Sequence, residues 1–482
     1  MGKTRQTGDL TSDNNIFADI VNDRVGVGIT QPTQKLHVSG SVRITGGIYD
    51  GNNSVGTAGS VLSSTGSGLN WITAGGGAFA YDNTSNIFSC SITTLAARTS
   101  GAHNFLVGTC AGRSITSGSH NNFFGCVSGC SNTTGCFNNF FGNYAGLANT
   151  TGNHNNFLGY NVGRSNTTGC SNNFFGVNSG QVNTTGCYNN FFGNAAGYCN
   201  TTQSNSIAIG NQAGYWNRGN NNIYLGECSG GSATRAACTT GTHNVAIGQC
   251  AGANITTGCY NNFFGSSAGR SNTTGGFNNF FGRSAGIYNT SGRYNNFLGT
   301  SAGFGNNNGC YNNFFGINAG LSNASGCHNN FFGKDSGYSN YSGSNNNFFG
   351  CGAGYWSGGT CHSNFIGACS GVYDCSGTGN TFIGSYTGFC KGSGSCNVFL
   401  GHEVGRYLVT SCCNNFIGSG SGSTGGCGSS STGNNFFGSY AGQSNFTGDH
   451  NVFIGHKSGQ YNYSGCNNIS IGYNSGSTNT CG

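Results

Sequence analysis

One pattern of polar and apolar residues repeats along most of the chain. Units such as NNFFGNYAGLANTTGNH, residues 138–154, follow one another through residues 101–482. We number the positions of a unit 1 to 17 from its first Asn. The Gly at position 5 recurs in 22 units from Gly108 to Gly472, and eighteen of the 21 spacings equal 17 residues. A short, strict period of this kind predicts stacked coils, each of which contacts only its neighbours.

Two fixed glycines divide each unit. Position 9 is Gly in all 22 units, and the NTTG segment at positions 12–15 adds turn-forming residues. We expect the two glycines to occupy corners that need a positive φ or a close approach of the backbone. The pattern therefore predicts an all-β fold, a parallel β-solenoid or β-roll of about 22 coils on the order of 100 Å long. The corner glycines singled out are Gly125, Gly129, Gly142 and Gly146.

Position 4 is apolar in every unit, so we expect it to face the interior of the coil. Position 2 then lies on the same face, because side chains alternate along a strand. Position 2 is mostly Asn, in contiguous runs, and stacked Asn side chains can hydrogen-bond along the axis. The alternative is that these Asn are solvated turn residues. The predicted core ladder comprises Asn122, Asn139, Asn156, Asn173, Asn190, Phe124, Phe141 and Phe175.

Position 3, which is Phe in seventeen units, would then point away from the coil interior. An exposed apolar column of that length exceeds what a soluble monomer carries, so it must be covered. Either a wide turn of the same coil covers it or another chain does, and we favour another chain in a parallel homo-oligomer with cyclic symmetry. The predicted seam comprises Phe123, Phe140, Phe157, Phe174, Phe191, Phe263, Phe280, Phe314 and Phe331.

Composition narrows the class of protein further. The 482 residues include 91 Gly and one Pro, with 6% charged and 13% aromatic residues, which argues against helical, collagen-like and disordered chains. The net charge is +6, but the basic residues do not form a run, so we expect no nucleic-acid partner. The sequence has no apolar stretch long enough to predict a membrane span. Ten of the 28 charges lie in the first fifty residues. This break predicts an N-terminal attachment module at 1–75, a transition at 76–100 and the array at 101–482.

Groups that could carry chemistry are few. The only glutamates are Glu227 and Glu403. We therefore expect that the protein is not an enzyme and has neither catalytic residues nor a cofactor. Seven of the ten histidines fall at position 17. At a threefold axis such histidines could bind a metal ion, with His120, His154 and His328 as candidates. The alternative is that these flat rings stack along the rod.

Cysteine is abundant, at 25 residues, and nine of the cysteines lie at position 16. Cys170 and Cys187, or Cys310 and Cys327, would stack on consecutive coils within the distance that a disulfide accepts. The alternative is small thiols packed at a corner. Since no secretory signal is present, we expect any bridge to form after release from a reducing cytosol.

Three segments resemble known families. Residues 24–50, RVGVGITQPTQKLHVSGSVRITGGIYD, resemble a short module of bacteriophage tail fibres, and GTAGSVLSSTGSGLNWI, residues 56–72, resembles its usual continuation. The array is similar to repeats in long structural proteins of marine cyanophages. Units such as NSIAIGNQAG, residues 205–214, also resemble the head repeats of trimeric autotransporter adhesins, which are trimeric β-rolls. The signal peptide and C-terminal membrane anchor of those adhesins are not expected here.

These resemblances imply a homotrimeric fibre of a virus particle that acts as a rigid rod for spacing or host attachment. Residues 1–75 would bind another virion protein, and a glycan or protein on the host surface would be a further partner. The alternative is a cell-made extracellular filament or adhesin whose uncapped coils stack end to end. The expected location is the virion, or in the alternative the cell surface.

Overall fold

The computed structural model describes residues 16–19, 22–39, 41, 60–64, 69–73, 80–81, 87–88, 100–231, 238–390, 392–423 and 430–480. The chain divides into two compact units, Met1–Ala78 and Phe79–Gly482. Most of the predicted transition at 76–100 lies outside the described residues. No described residue is helical.

In the described part of the first unit there are five short strands. Strand β1 (Ile16–Asp19) pairs antiparallel with β2 (Arg24–Val27), and β2 pairs in parallel with β3 (Leu36–Val38). Strands β4 (Ser60–Ser64) and β5 (Leu69–Thr73) form an antiparallel hairpin. Residues 24–39, the described first part of the segment that resembles tail-fibre modules, therefore form β2, β3 and the connection between them.

The second unit is a single ladder of strands. It begins with β6 (Ala80–Tyr81) and β7 (Ile87–Phe88), which pair antiparallel. From β7 onward every pairing is parallel, and β8 to β29 have three residues each. They are β8 Phe105–Val107, β9 Asn122–Phe124, β10 Asn139–Phe141, β11 Asn156–Leu158, β12 Asn173–Phe175, β13 Asn190–Phe192, β14 Ile207–Ile209, β15 Ile223–Leu225, β16 Val245–Ile247, β17 Asn262–Phe264, β18 Asn279–Phe281, β19 Asn296–Leu298, β20 Asn313–Phe315, β21 Asn330–Phe332, β22 Asn347–Phe349, β23 Asn364–Ile366, β24 Thr381–Ile383, β25 Val398–Leu400, β26 Asn415–Ile417, β27 Asn435–Phe437, β28 Val452–Ile454 and β29 Ile469–Ile471.

Each strand pairs with the same positions of the next strand. Phe140, for example, pairs with Phe157, and their ring centroids lie 4.8 Å apart. The result is a parallel β-solenoid of about 21 turns with 17-residue repeats, as the periodicity predicted.

In seventeen of the 22 units the side chain that fills the coil is a Phe at position 3, and this corrects the sequence-based assignment of faces. All nine Phe of the predicted oligomer seam are fully buried within the single chain, at 0% exposure. A 17-residue coil has room for one large ring, and that ring stacks face to face on the rings of the coils before and after it. The coil thus covers its own Phe column. The residues concerned are Phe123, Phe140, Phe157, Phe174, Phe191, Phe263, Phe280, Phe314 and Phe331.

Positions 2 and 4 therefore face outward, which corrects the predicted core ladder. In β9, β10 and β12 the central residue is buried, whereas the residues on either side are only half-buried. The predicted chain of Asn–Asn hydrogen bonds at position 2 is present, but it runs along the outer face. The residues that move from the predicted core to this face are Asn122, Asn139, Asn156, Asn173, Asn190, Phe124, Phe141 and Phe175.

Most of the polar part of the core is formed by two other Asn columns, at positions 1 and 12. Asn138 is fully buried, accepts a hydrogen bond from the backbone N–H of Asn155 (3.0 Å) and donates one to the Gly152 carbonyl (2.8 Å). At position 12, Asn149 is fully buried and donates to the side-chain oxygen of Asn132 at 2.7 Å. Sequence reasoning missed both columns. The sequence did contain a signal for the first of these columns: position 1 is Asn in every unit except the two in which Ser206 and Ser363 replace it.

The corner glycines have conformations that side chains rarely adopt. Gly125 and Gly142 at position 5 have φ of 132° and 134°, and a Cβ on Gly125 would stand 2.5 Å from the backbone of Gly142. Gly129 and Gly146 at position 9 have φ of 54° and 56°. Their lack of a Cβ leaves space for the stacked Phe rings.

Candidate interaction surface

The outer face of the strand ladder carries an amide ladder formed by the Asn at position 2. Each side-chain NH₂ donates to the side-chain oxygen of the Asn in the next coil, at 2.7–2.8 Å through two uninterrupted runs. The first run extends from Asn122 to Asn190 and the second from Asn262 to Asn364. Each inner amide donates once and accepts once within its column, so one N–H and one lone pair of its oxygen are left for other partners.

An apolar column lies beside the amide ladder, at position 4. Its side chains are half-exposed, with Phe281 at 38%, Leu298 at 47% and Ile366 at 41%. At roughly 50 Å² for each side chain, the column exposes on the order of 1,000 Å² of apolar surface. That area exceeds the largest apolar patch of a typical monomer and approximates one partner's share of a standard interface. This column is the strongest candidate for a contact with another molecule.

A notch interrupts the column where Leu298 replaces Phe. It has a volume of about 320 Å³ and lies between Phe281 and Phe315, with Asn279, Asn296 and Leu298 on its walls. The shorter leucine side chain leaves space between the two rings. The notch can therefore hold an apolar side chain that projects from another molecule.

The histidines lie in a second column, at the position-17 corner, where aromatic rings stack along the axis. His243, Tyr260, Phe277, Tyr294, Tyr311 and His328 form one such stack with centroid spacings of 4.7–4.9 Å. All six residues have positive φ, which turns each ring to the outside of the corner. The predicted stacking of flat rings is therefore present.

The metal candidates belong to the same corner. Within the chain, His120 stacks on Phe137 at 4.8 Å, Phe137 stacks on His154 at 5.0 Å, and Tyr311 stacks on His328 at 4.9 Å. Among the described residues, no group of three or more His, Cys, Asp or Glu side chains is placed to hold a metal ion. A site shared between chains at a threefold axis stays a prediction.

The cysteines at position 16 have a structural role. Cys136 Sγ accepts the backbone N–H of Ser119 at 3.3 Å, and Asn153 Oδ1 and Ser204 Oγ accept the equivalent N–H groups of Cys136 and Cys187 at 2.7 and 2.9 Å. Position 16 thus mostly holds short side chains that can accept a hydrogen bond, with Gly276 and Arg293 as exceptions. The position-16 cysteines within the described residues form no disulfide. Among the position-16 cysteines that the structure describes, Cys170 and Cys187 are a pair whose Sγ atoms lie 2.9 Å apart.

The two glutamates each have a partner of their own and lie in different coils. Glu227 accepts a hydrogen bond from Gln249 Nε2 at 3.0 Å. Glu403 pairs with Arg406, whose guanidinium also lies 5.4 Å from the Tyr386 ring and 5.1 Å from the Tyr407 ring. These carboxylates therefore contribute to local packing. That the protein is not an enzyme stays a prediction.

Comparison with known proteins gave no relative. No family model matches the chain, and neither a curated protein nor a solved structure is significantly similar to it. Within the described ranges, the chain contains no helix that is long and apolar enough to cross a membrane.

Proposed function

We propose that this chain is a structural fibre protein of a virus particle whose array is a rigid, parallel homotrimeric rod. Residues 1–75 attach the rod to another virion protein. The rod acts as a rigid spacer or binds a glycan or protein on the host surface. The observation that carries the proposal is the half-exposed apolar column at position 4. The resemblance of residues 24–50 to tail-fibre modules supports the viral assignment.

A second copy of the chain fits this column because the two surfaces share one repeat. Along the column, equivalent rings such as Phe124 and Phe141 recur every 4.7 Å. A partner without this spacing could match only a few coils, whereas a parallel copy stays in register along the whole column. The seam assigned from sequence to position 3 thus moves to position 4. Cyclic symmetry closes such an assembly and covers the position-4 column of every chain.

The first test is the mass of the purified chain in solution, measured by light scattering after size exclusion. We expect three times the chain mass of 49.3 kDa. A monomer at all concentrations would overturn the assembly. A dimer would keep the position-4 seam but contradict the threefold arrangement. An open-ended polymer would favour the alternative, an extracellular filament.

A variant with charges in the column tests where the seam lies. Phe141→Lys, Leu298→Lys and Phe437→Lys, combined in one chain, place three widely spaced charges at position 4, and we expect a folded monomer. The matched control puts the same three charges on exposed position-14 residues of the same units, and it should assemble like the parent chain. If both variants keep the parent mass, the seam lies elsewhere. The control substitutions are Thr151→Lys, Asn308→Lys and Thr447→Lys.

Negative-stain images of virions labelled with an antibody against the array test the viral assignment. Label on fibres of the particle would support it, and label confined to the surface of uninfected cells would contradict it. Neither image depends on the number of chains in the rod, so the two parts of the proposal can fail separately.

A further inference from the structure

We propose that Cys170 and Cys187 form an oxidation site, at which a disulfide joins two consecutive coils of the solenoid. The proposal does not depend on the function proposed above or on the number of chains. It rests on the relation between the two thiols and on the way in which a solenoid opens.

The two residues occupy position 16 of neighbouring units, and the coils that carry them are in direct register. Phe174 pairs with Phe191 across these coils, and their ring centroids lie 4.8 Å apart. A spacing between coils of this size lies within the range of Cα separations that disulfides span. Cys170 Sγ lies 2.9 Å from Cys187 Sγ, and the Cys170 backbone N–H donates to the same sulfur at 3.1 Å. Bond formation thus requires a small rotation of the side chains and no rearrangement of the backbone.

The other pair of position-16 cysteines in consecutive coils, Cys310 and Cys327, has only part of this arrangement. The Cys310 backbone N–H donates to Cys327 Sγ at 3.2 Å, but the Cys310 thiol donates to the Asn308 carbonyl at 3.3 Å and not to the Cys327 sulfur. Cys136 is separated from Cys170 by the coil that carries Asn153, so those two thiols cannot meet in the folded chain. Both cysteines of the proposed site are only partly buried, which allows a small oxidant to reach them.

The reaction is thiol–disulfide exchange with a small-molecule disulfide as the oxidant. One protein thiolate attacks that disulfide, forms a mixed disulfide and releases one small thiol. The second protein thiolate then displaces the other small thiol, so two protein thiols are oxidised and one small disulfide is reduced to two thiols. Burial and the neighbouring Cys187 thiol raise the pKa of Cys170 to about 11, so the reaction should accelerate with rising pH.

The bond would act as a staple against separation of the coils. In a solenoid each coil contacts only its neighbours, so opening begins where two coils part. A disulfide between Cys170 and Cys187 closes a loop of one repeat and holds two coils together while their hydrogen bonds open. Oxidation would therefore stabilise this part of the solenoid locally.

The test treats the native full-length chain with oxidised glutathione, blocks the remaining thiols, and maps cross-links by mass spectrometry after chymotrypsin digestion. We expect a Cys170–Cys187 link that forms faster at pH 9 than at pH 7. We also expect amide hydrogen exchange in residues 156–192 to become roughly tenfold slower or more. Cys136 should form no link with either residue.

The control is Cys170→Ser, which should fold because Ser119 and Ser204 occupy the same position. In this variant Cys187 should carry glutathione, and the change in hydrogen exchange should be lost. Glutathione on both cysteines of the parent chain without a link would overturn the proposal. So would a link that forms only after denaturation, or a link that leaves the exchange unchanged.

Discussion

The ring of Phe140 lies against the backbone of Gly146, so closely that a Cβ on Gly146 would stand 2.5 Å from Cε2 of the ring. The same relation recurs between position 3 and position 9 in other coils, as between Phe157 and Gly163. It explains why position 9 is always Gly: the site combines a left-handed φ with a ring that leaves no space for a side chain. The stacked Phe column therefore depends on these glycines.

Gly146→Ala should destabilise the chain strongly, by about 3 kcal/mol or more, because it adds a steric clash to backbone strain. Gly352→Ala is the matched control. The φ of Gly352, 65°, is similar to that of Gly146, but a Cβ on Gly352 would contact only Cys369 Sγ, at 3.7 Å. In another coil the equivalent position 7 is occupied by Asn161, which also has a positive φ. That control should cost about 1 kcal/mol. Denaturant unfolding measures both, and equal losses would show that backbone strain alone fixes the glycine.

The periodicity of the sequence predicted the solenoid but not which strand face is inside. Alternation establishes only that position 3 points opposite to positions 2 and 4. The constant apolarity of position 4 favoured the wrong face, because an outer column can be as uniformly apolar as a core. The deciding relation, between Phe140 and Gly146, joins residues that are brought together only when the coil closes. It was visible in the sequence as a large residue paired with an invariant glycine.

The two kinds of Asn ladder should differ in their effect on stability. Asn149→Ala removes a fully buried amide that bonds with Asn132, Asn166 and the Gly152 carbonyl, and it leaves their polar groups without water. We expect a loss of about 3 kcal/mol. Asn156→Ala removes the same kind of bond from the half-exposed outer ladder, where water can replace it, and should cost about 1 kcal/mol. Urea unfolding separates the two, and a greater loss at Asn156 would contradict the assignment of faces.

The cysteines at position 16 should be replaceable by serine but not by alanine. Cys136 Sγ accepts the Ser119 backbone N–H, and a serine hydroxyl can do the same. Cys136→Ser should therefore change the free energy of unfolding by less than about 0.5 kcal/mol, whereas Cys136→Ala should cost about 1 kcal/mol. A loss of the same size in both variants would indicate that the sulfur packs and does not act as an acceptor.

Tyr224 shows how the core accommodates a larger side chain at position 3. It is fully buried and pairs with Ala208 in the coil before and Ala246 in the coil after. The two small residues leave the space that its ring needs. Its hydroxyl, however, has no hydrogen-bond partner among the described residues.

Tyr224→Phe should stabilise the chain by about 1 kcal/mol at neutral pH, because it removes a buried hydroxyl that forms no hydrogen bond. The gain should grow in alkali. Burial raises the pKa of Tyr224 in the folded chain, whereas the unfolded chain loses this proton near pH 10. The parent chain is therefore destabilised as pH rises above about 10, by about 1.4 kcal/mol per pH unit from this group, and the variant escapes that loss.

Unfolding free energies measured at pH 8 and pH 11 test this difference. Tyr188→Phe serves as the control, since Tyr188 is 59% exposed and its hydroxyl is free to contact water. The Tyr188 variant should follow the parent chain at both pH values, while the advantage of the Tyr224 variant should widen by about 1.4 kcal/mol. An advantage that stays constant between the two pH values would mean that the Tyr224 phenol ionises as readily in the folded coil as in the unfolded chain, and that the position-3 column is open to water at this coil.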